Sequence, residues 1–144
     1  MQFIGHVVAK QGDIVLLDSH NLVTLVFRSG LASWFTGSAL SFPTAVAYGT
    51  GTASATSISA SGLQFEIGRV PIFAAGVVGG YTARFSALIQ PTGATGTIRE
   101  FGLFTHLSAN SAAMFAIISA NIPKGTASAV DIVWDLVPFT GSAL

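Results

Sequence analysis

The residues of this chain that could do chemistry form a few small groups. Asp18, Ser19 and His20 are the three residue types of a serine-hydrolase triad, but they are consecutive and cannot adopt the required geometry among themselves. A polar turn explains them better. The three histidines, at positions 6, 20 and 106, show no metal-ligand spacing, so we expect no metal site.

A second group is the glycine-rich run at residues 49–52 (GTGT), since glycine-rich loops can cradle phosphates. A phosphate-binding loop of that kind continues into Gly-Lys-Ser/Thr and a helix, and neither follows here. We therefore expect no nucleotide and no other cofactor.

The third group is a pair of acidic residues, Glu66 and Glu100, which could act as a carboxylate pair if they met. Arginines at positions 69 and 99 lie close to them in sequence, and neutralisation by Arg69 and Arg99 is the better interpretation. We predict that these four residues are structural ion-pair elements, that the chain has no catalytic residue, and that it is not an enzyme.

The stretch that must position Glu100 is residues 97–104 (TIREFGLF), which predicts a strand near the centre of an all-β domain. Because side chains alternate across a strand, Glu100 and Arg99 point to opposite faces. Both faces carry large apolar groups, so we expect cover on both sides. A covered charge is costly unless it is paired, so we expect a neighbouring arginine or backbone N–H groups to hold Glu100. A strand-end pair facing water is the alternative.

Composition constrains the partners of the chain. Its 144 residues suit one domain, and it contains no cysteine, hence no disulfide framework. Charged residues make up 8%, against about 25% in ordinary soluble domains, while hydrophobic residues reach 51% and the net charge is zero. A lone monomer with such a surface would stick to itself. We therefore expect the chain to lie inside an assembly or in a membrane.

The sequence argues against a membrane-spanning protein and against a nucleic-acid-binding protein. No stretch has the roughly 18 consecutive apolar residues of a spanning helix. The N-terminus lacks the pattern of a signal peptide, which argues against a membrane barrel. Six scattered lysines and arginines with zero net charge argue against nucleic-acid binding as the main function.

The first half of the chain predicts one helix among short strands. Residues 1–10 are apolar and predict an edge strand or an extended arm laid on a neighbour. A short strand at residues 13–17 precedes a polar loop at 18–21. Thr24 could cap a helix that runs to Phe35 and ends before a glycine.

The second half predicts a series of strands joined by Gly/Pro turns, about 8 to 12 residues apart, a spacing typical of sandwiches and barrels. The clearest local signal is Gly79-Gly80, which fits a two-residue hairpin turn with positive φ. We predict a single all-β domain over residues 1–144. We expect an antiparallel β-sandwich or a jelly-roll-like barrel, with one short helix near the N-terminus.

Five separated phrases of this sequence belong together: NLVT at 21–24, AVAYGTGT at 45–52, LQFEIGR at 63–69, TIREFGLF at 97–104 and IPK at 122–124. With these phrases the chain resembles small virion structural proteins of tailed bacteriophages, and related phrases occur in phage tail-collar fibre proteins. The resemblance spans roughly residues 21 to 137.

The resemblance implies a capsid decoration (cement) protein. Such a protein lies on the capsid exterior and bridges subunits of the major capsid protein, and we expect it to form a homodimer or homotrimer. The sequence stops at Leu144 without a repeat, coiled coil or receptor-tip domain, which favours cement over a fibre. A tail, collar or neck component is the alternative.

Two apolar segments are the expected contact surfaces, the N-terminal segment and the strand that begins at Met114. The assembly-interface candidates are Phe3, Ile4, Val7, Val8, Met114, Phe115 and Ile117.

A carbohydrate-binding or small-ligand-binding β-sandwich is a hypothesis from a different class. Trp34, Tyr48 and Trp134 could supply stacking surfaces for a sugar ring, although core packing explains each of them better.

Overall fold

The computed structural model describes residues 2–38, 41–52, 59–91, 96–108, 113–125 and 128–139. These ranges contain strands and one helix, in the following order: β1 (Gln2–Gln11), β2 (Ile14–Val23), α1 (Leu25–Phe35), β3 (Ala45–Gly49), β4 (Glu66–Val78), β5 (Thr82–Ile89), β6 (Gly96–Phe104), β7 (Met114–Lys124) and β8 (Val130–Phe139).

The eight strands form one closed antiparallel barrel in the order β1-β2-β7-β6-β3-β4-β5-β8, and β8 pairs with β1 to complete the ring. The prediction of an antiparallel all-β domain with one short helix near the N-terminus is confirmed. A sandwich of two stacked sheets, or a jelly roll, is not confirmed, because the strands join in a single ring.

The N-terminal strand is part of the barrel wall. β1 pairs with β2 on one side and with β8 on the other, so it is neither an edge strand nor a free arm, and that expectation is corrected. β2 likewise runs straight through residues 18–21, where we expected a loop. Asp18, Ser19 and His20 are exposed, so a strand accommodates them without burying a polar group.

Gly5 explains how a polar side chain enters the barrel. It lies opposite Asn21 on β2, and a Cβ at Gly5 would collide with the Asn21 side chain. The space lets the amide of Asn21 accept a hydrogen bond of 3.1 Å from the indole Nε1–H of Trp134. Trp134 is fully buried, and a buried indole N–H needs such a partner.

The helix begins and ends where the sequence predicts. Thr24 is its N-cap: the Thr24 hydroxyl accepts a 3.3 Å hydrogen bond from the Phe27 N–H and donates one of 2.6 Å to the Met114 carbonyl on β7. The ring of Phe27 packs edge-on against Phe3 and Phe115, with centroid separations of 5.0 Å for each pair. The cap and these rings fasten α1 to β1 and β7.

The hydrophobic core has two parts. The larger part fills the barrel and includes Ile98, Phe101 and Leu103 of β6. The smaller part lies on the other face of the same wall, where Phe104 packs with the following residues: Ala45, Ala47, Met114 and Ile117, partly covered by Leu22, Ala60 and Leu63. β6 is therefore covered on both faces, as its sequence predicts.

The β4–β5 connection confirms the predicted positive φ but not the predicted length. Gly79 and Gly80 have φ values of 63° and 87°. Val78 pairs with Thr82, so three residues separate the paired positions, where we expected two.

We predict that Thr24→Val lowers the free energy of unfolding by about 1–3 kcal/mol. The variant loses both the helix cap and a buried hydrogen bond to β7. Urea unfolding measures this. Thr36→Val is the matched control: the exposed Thr36 hydroxyl donates only to the Ser33 carbonyl, so we expect a change below about 0.5 kcal/mol. Equal losses in the two variants would contradict the role given to Thr24.

Candidate functional site

The most deeply buried acidic group is the carboxylate of Glu100, on the outer face of β6. Its relative exposure is 0%. Oε1 accepts hydrogen bonds from the backbone N–H groups of Gly51 (3.1 Å) and Phe65 (2.8 Å), and Oε2 accepts one from Gln64 (3.0 Å). Backbone donors therefore hold this charge. Arg99 is exposed, at an irregularity of the β6–β7 ladder between Ile98 and Glu100, and has no ion pair among the described residues.

The two glycines of the glycine-rich run lie against the carboxylate and its donor segment. A Cβ added at Gly49 would collide with the Phe65 carbonyl oxygen and lie 2.6 Å from Glu100 Oε1, and one at Gly51 would collide with Gln64 Cβ and lie 2.8 Å from Glu100 Oε1. Either distance is too short for a real contact, so only glycine lets this backbone approach so closely. The anion that the run cradles is a side chain of the protein itself.

Three of the phrases that carry the phage resemblance meet at Glu100. The phrase at 45–52 contributes the Gly51 N–H, the phrase at 63–69 contributes those of Gln64 and Phe65, and the phrase at 97–104 contributes Glu100 itself. We call this arrangement the Glu100 clamp. It fastens residues 49–52 and 63–65 onto one strand of the barrel, through bonds that span 35 to 49 residues of sequence.

Glu66 and Arg69 form an ion pair beside the clamp. Arg69 donates to both carboxylate oxygens of Glu66, at 2.7 and 3.0 Å, and to the His106 carbonyl at 2.8 Å. Its guanidinium carbon lies 3.8 Å from the centroid of the Phe104 ring. The four predicted ion-pair residues thus supply one ion pair. Glu66 bonds Arg69 and Glu100 bonds backbone, so these contacts do not make the two acids a carboxylate pair.

We predict that Glu100→Gln lowers the free energy of unfolding by about 2–4 kcal/mol, because the new amide NH₂ would face backbone donors in a buried site. Denaturant unfolding measures the loss. Hydrogen exchange of the amides of Gly51, Gln64 and Phe65 should accelerate.

Glu66→Gln is the matched control, because it removes a carboxylate from a pair nearer the surface and should cost no more than about 1 kcal/mol. Unchanged amide exchange in Glu100→Gln would contradict the clamp.

The structure corrects most of the predicted assembly surface. Four of the candidates are buried within the chain and cannot meet a partner: Val7, Met114, Phe115 and Ile117. The reason is that Val7 and Phe115 pack in the larger part of the core, and Met114 and Ile117 in the smaller part. Phe3 packs on Phe27. Ile4 and Val8 alternate with buried residues of β1, are half-buried, and remain available to a partner.

Two of the three aromatic residues suggested for sugar stacking are inside the protein. Trp134 is fully buried and Tyr48 nearly so, and burial raises the pKa of the Tyr48 hydroxyl. Trp34 is half-exposed at the end of α1, where its ring lies 5.2 Å from that of Phe35.

The surface carries many large apolar side chains that sequence reasoning missed, because no local pattern shows which face of a closed barrel meets water. Most belong to α1, the segment before β3, and β4 with its hairpin. The exposed set is Ile14, Val15, Leu25, Trp34, Phe35, Phe42, Phe65, Ile67, Phe73, Val77, Val78, Tyr81 and Leu107. Contiguous apolar patches mark contact sites on soluble proteins, whereas single exposed apolar residues are ordinary. The members of this set that touch one another, such as Trp34 and Phe35, are therefore the ones that favour contact with another molecule.

One end of the barrel opens into a cavity of about 240 Å³, which we call the barrel-mouth cavity. Its lining is apolar except for the hydroxyls of Ser41 and Tyr81. Exposed Phe42 and Tyr81 form part of its rim. The other lining residues are Phe3, Phe27, Pro43, Ala83, Phe85, Phe115 and Leu136. Such a lining can hold an apolar group of about one ring and offers no partner for a charge. No local sequence pattern predicts this cavity, since its lining comes from several distant segments.

A row of polar side chains crosses the outside of the barrel next to this opening. Arg84, Asp135, His6 and His20 lie directly opposite one another on β5, β8, β1 and β2. Arg84 donates two hydrogen bonds of 2.8 Å to Asp135, which raise the pKa of Arg84. His6 Nε2 lies 2.6 Å from Asp18 Oδ1. The described residues contain no group of three or more potential ligands placed to hold a metal ion.

No protein-family model, curated protein or solved structure matches this chain. In the part of the chain that the structure describes, no helix is long and apolar enough to cross a membrane. The function must therefore be argued from the clamp, the cavity and the exposed apolar side chains.

Proposed function

We propose that this protein is a non-enzymatic structural subunit of a bacteriophage particle. In this role it decorates the capsid exterior and bridges subunits of the major capsid protein as a cement protein. The observation that carries the proposal is the exposed apolar set on a chain with only 8% charged residues. Phe35, Phe42 and Phe73 are 70%, 71% and 67% exposed, and burial against neighbouring subunits would remove these rings from water.

The use of the charged groups supports a structural role. Glu100, Glu66 and Arg69 are engaged in holding segments together, as described above. Lys124 is buried and donates hydrogen bonds to the carbonyls of Pro91 (2.8 Å) and Gly125 (3.1 Å). Burial lowers the pKa of Lys124. These groups fix loops to the barrel, which is what a rigid building block requires.

The energetics of a shell suit such a block. A standard protein interface buries about 1,600 Å², and apolar area contributes about 25 cal/mol per Å² before the costs of association. The affinity of each single contact can be modest, because a subunit that binds two capsid subunits at once gains overall affinity from multivalency. The clamp and the closed ring keep the exposed side chains in place, which reduces the ordering cost at each contact.

The strand pairing supports a jelly-roll-like description of the barrel. β1 pairs with β8, β2 with β7, β3 with β6 and β4 with β5. This nesting is that of one long antiparallel ribbon folded at the β4–β5 hairpin and rolled until its sides meet, and eight strands are typical of jelly rolls.

A tail, collar or neck component is the second candidate, favoured by the phrases shared with tail-collar fibre proteins. It would use the same apolar surface, but in few copies and around the tail axis.

We predict that purified particles contain hundreds of copies of the protein, in a fixed ratio to the major capsid protein, with density on the outer shell. Quantitative mass spectrometry of intact particles measures the copy number, and electron microscopy locates the protein on the particle. A few copies located only on the tail would contradict the cement role and support the second candidate. Absence from particles would contradict both.

We further predict that exposed phenylalanines mediate the binding of the protein to the phage particle. Replacing Phe35, Phe42 or Phe73 by serine, one at a time, should change the free energy of unfolding by no more than about 0.5 kcal/mol. At least one variant should bind stripped particles about tenfold more weakly or worse. Full binding by every variant would contradict docking through these rings. Arg99→Ser, at an exposed non-apolar position, is the control.

A further inference from the structure

The barrel-mouth cavity and the exposed ring of Phe42 lie on the same patch of surface. We infer that two copies of this chain associate mouth to mouth, with Phe42 of each copy inserted into the barrel-mouth cavity of the other. The inference rests on the proposed role as an assembling subunit, and it names the residues through which the copies meet.

The cavity has the size and chemistry for a phenyl ring. Its volume of about 240 Å³ exceeds the roughly 150 Å³ of an apolar protein cavity that binds benzene. Water needs two to four polar partners to be held in a cavity, and Ser41 is the only lining residue with a polar side chain besides Tyr81 at the rim. An apolar ring therefore fills this space better than water does.

The rim supplies a matching projection. Phe42 is 71% exposed, although it adjoins a cavity lined by other rings. Tyr81 is similarly exposed, but insertion would bury its hydroxyl among apolar side chains. Phe42 has no polar atom to desolvate, so it is the better occupant.

Phe42 is also held in position for insertion. Pro43, the next residue, is buried, and the Thr44 N–H donates a 2.9 Å hydrogen bond to the Phe104 carbonyl. The Thr44 hydroxyl donates another, of 2.6 Å, to the Thr105 carbonyl. The backbone that presents Phe42 is thus fastened to β6 before any partner arrives, which lowers the ordering cost of association.

The shared position decides in favour of a second copy as the occupant. A two-fold interface requires a self-complementary patch, in which each copy offers both the projection and the recess. Phe42 and the cavity meet that requirement. None of the lining residues is charged, so two copies would face each other without like-charge repulsion. Such a contact closes on itself and stops at the dimer.

Sedimentation equilibrium of the full chain tests this. We expect a dimer, and Phe42→Ser should raise its dissociation constant at least tenfold. Phe73→Ser is the matched control, because Phe73 is 67% exposed and does not line the cavity; its dissociation constant should stay within twofold of the parent's. Ala83→Leu tests the recess, because it fills the cavity while leaving Phe42 in place, and it should weaken the dimer as well.

Several results would overturn the inference. These are a monomeric or trimeric parent chain, a Phe42→Ser variant that dimerises as the parent does, and a loss as large in Phe73→Ser. Unfolding curves of each variant establish that it is folded. A monomer present in many copies on the capsid would overturn the dimer and leave the proposed function standing. A mouth-to-mouth dimer that is absent from particles would overturn the proposed function and leave the dimer standing.

Discussion

Three backbone N–H groups converge on the carboxylate of Glu100, and much of the architecture follows from that contact. A buried carboxylate is tolerated only when donors surround it, so the segments that carry Gly51, Gln64 and Phe65 must lie against β6. These segments in turn help to cover the outer part of the core, where Phe104 and its neighbours would otherwise meet water. One hydrogen-bonded charge thereby ties the outer layer of packing to the barrel wall.

The clamp also separates two kinds of residue in this chain. The phrases that resemble phage structural proteins contribute the carboxylate, its donors and the Arg69–Glu66 pair, all of which maintain the fold. The exposed rings of α1, the β4–β5 hairpin and the segment before β3 lie mostly outside those phrases. The residues that carry the resemblance therefore maintain the fold, and the partner contacts that we propose would use the apolar surface outside them.

The sequence predicted what short-range physics determines. Thr24 caps the helix because its hydroxyl reaches an N–H three residues on, and Gly79-Gly80 turns because both residues have positive φ. The burial of both faces of β6 followed from alternation alone. The position of β1 in the ring of strands could not be predicted in this way, because its second neighbour, β8, is more than one hundred residues away in sequence. Val7 is buried for that reason, and no local pattern distinguishes it from an exposed apolar residue.

Closure of the ring has a further consequence for a protein with so few charges. Short apolar β segments of low charge are prone to cross-β growth, in which an unpaired strand templates the next chain. Every strand that the structure describes pairs with two others, which shortens the backbone edge left open to a new chain. Closure does not remove that edge, because β2 pairs with β7 only at Leu22 and Val23, and β4 pairs with β3 only as far as Pro71. The remaining free edges of β2 and β4 are therefore where the barrel is open to growth of this kind.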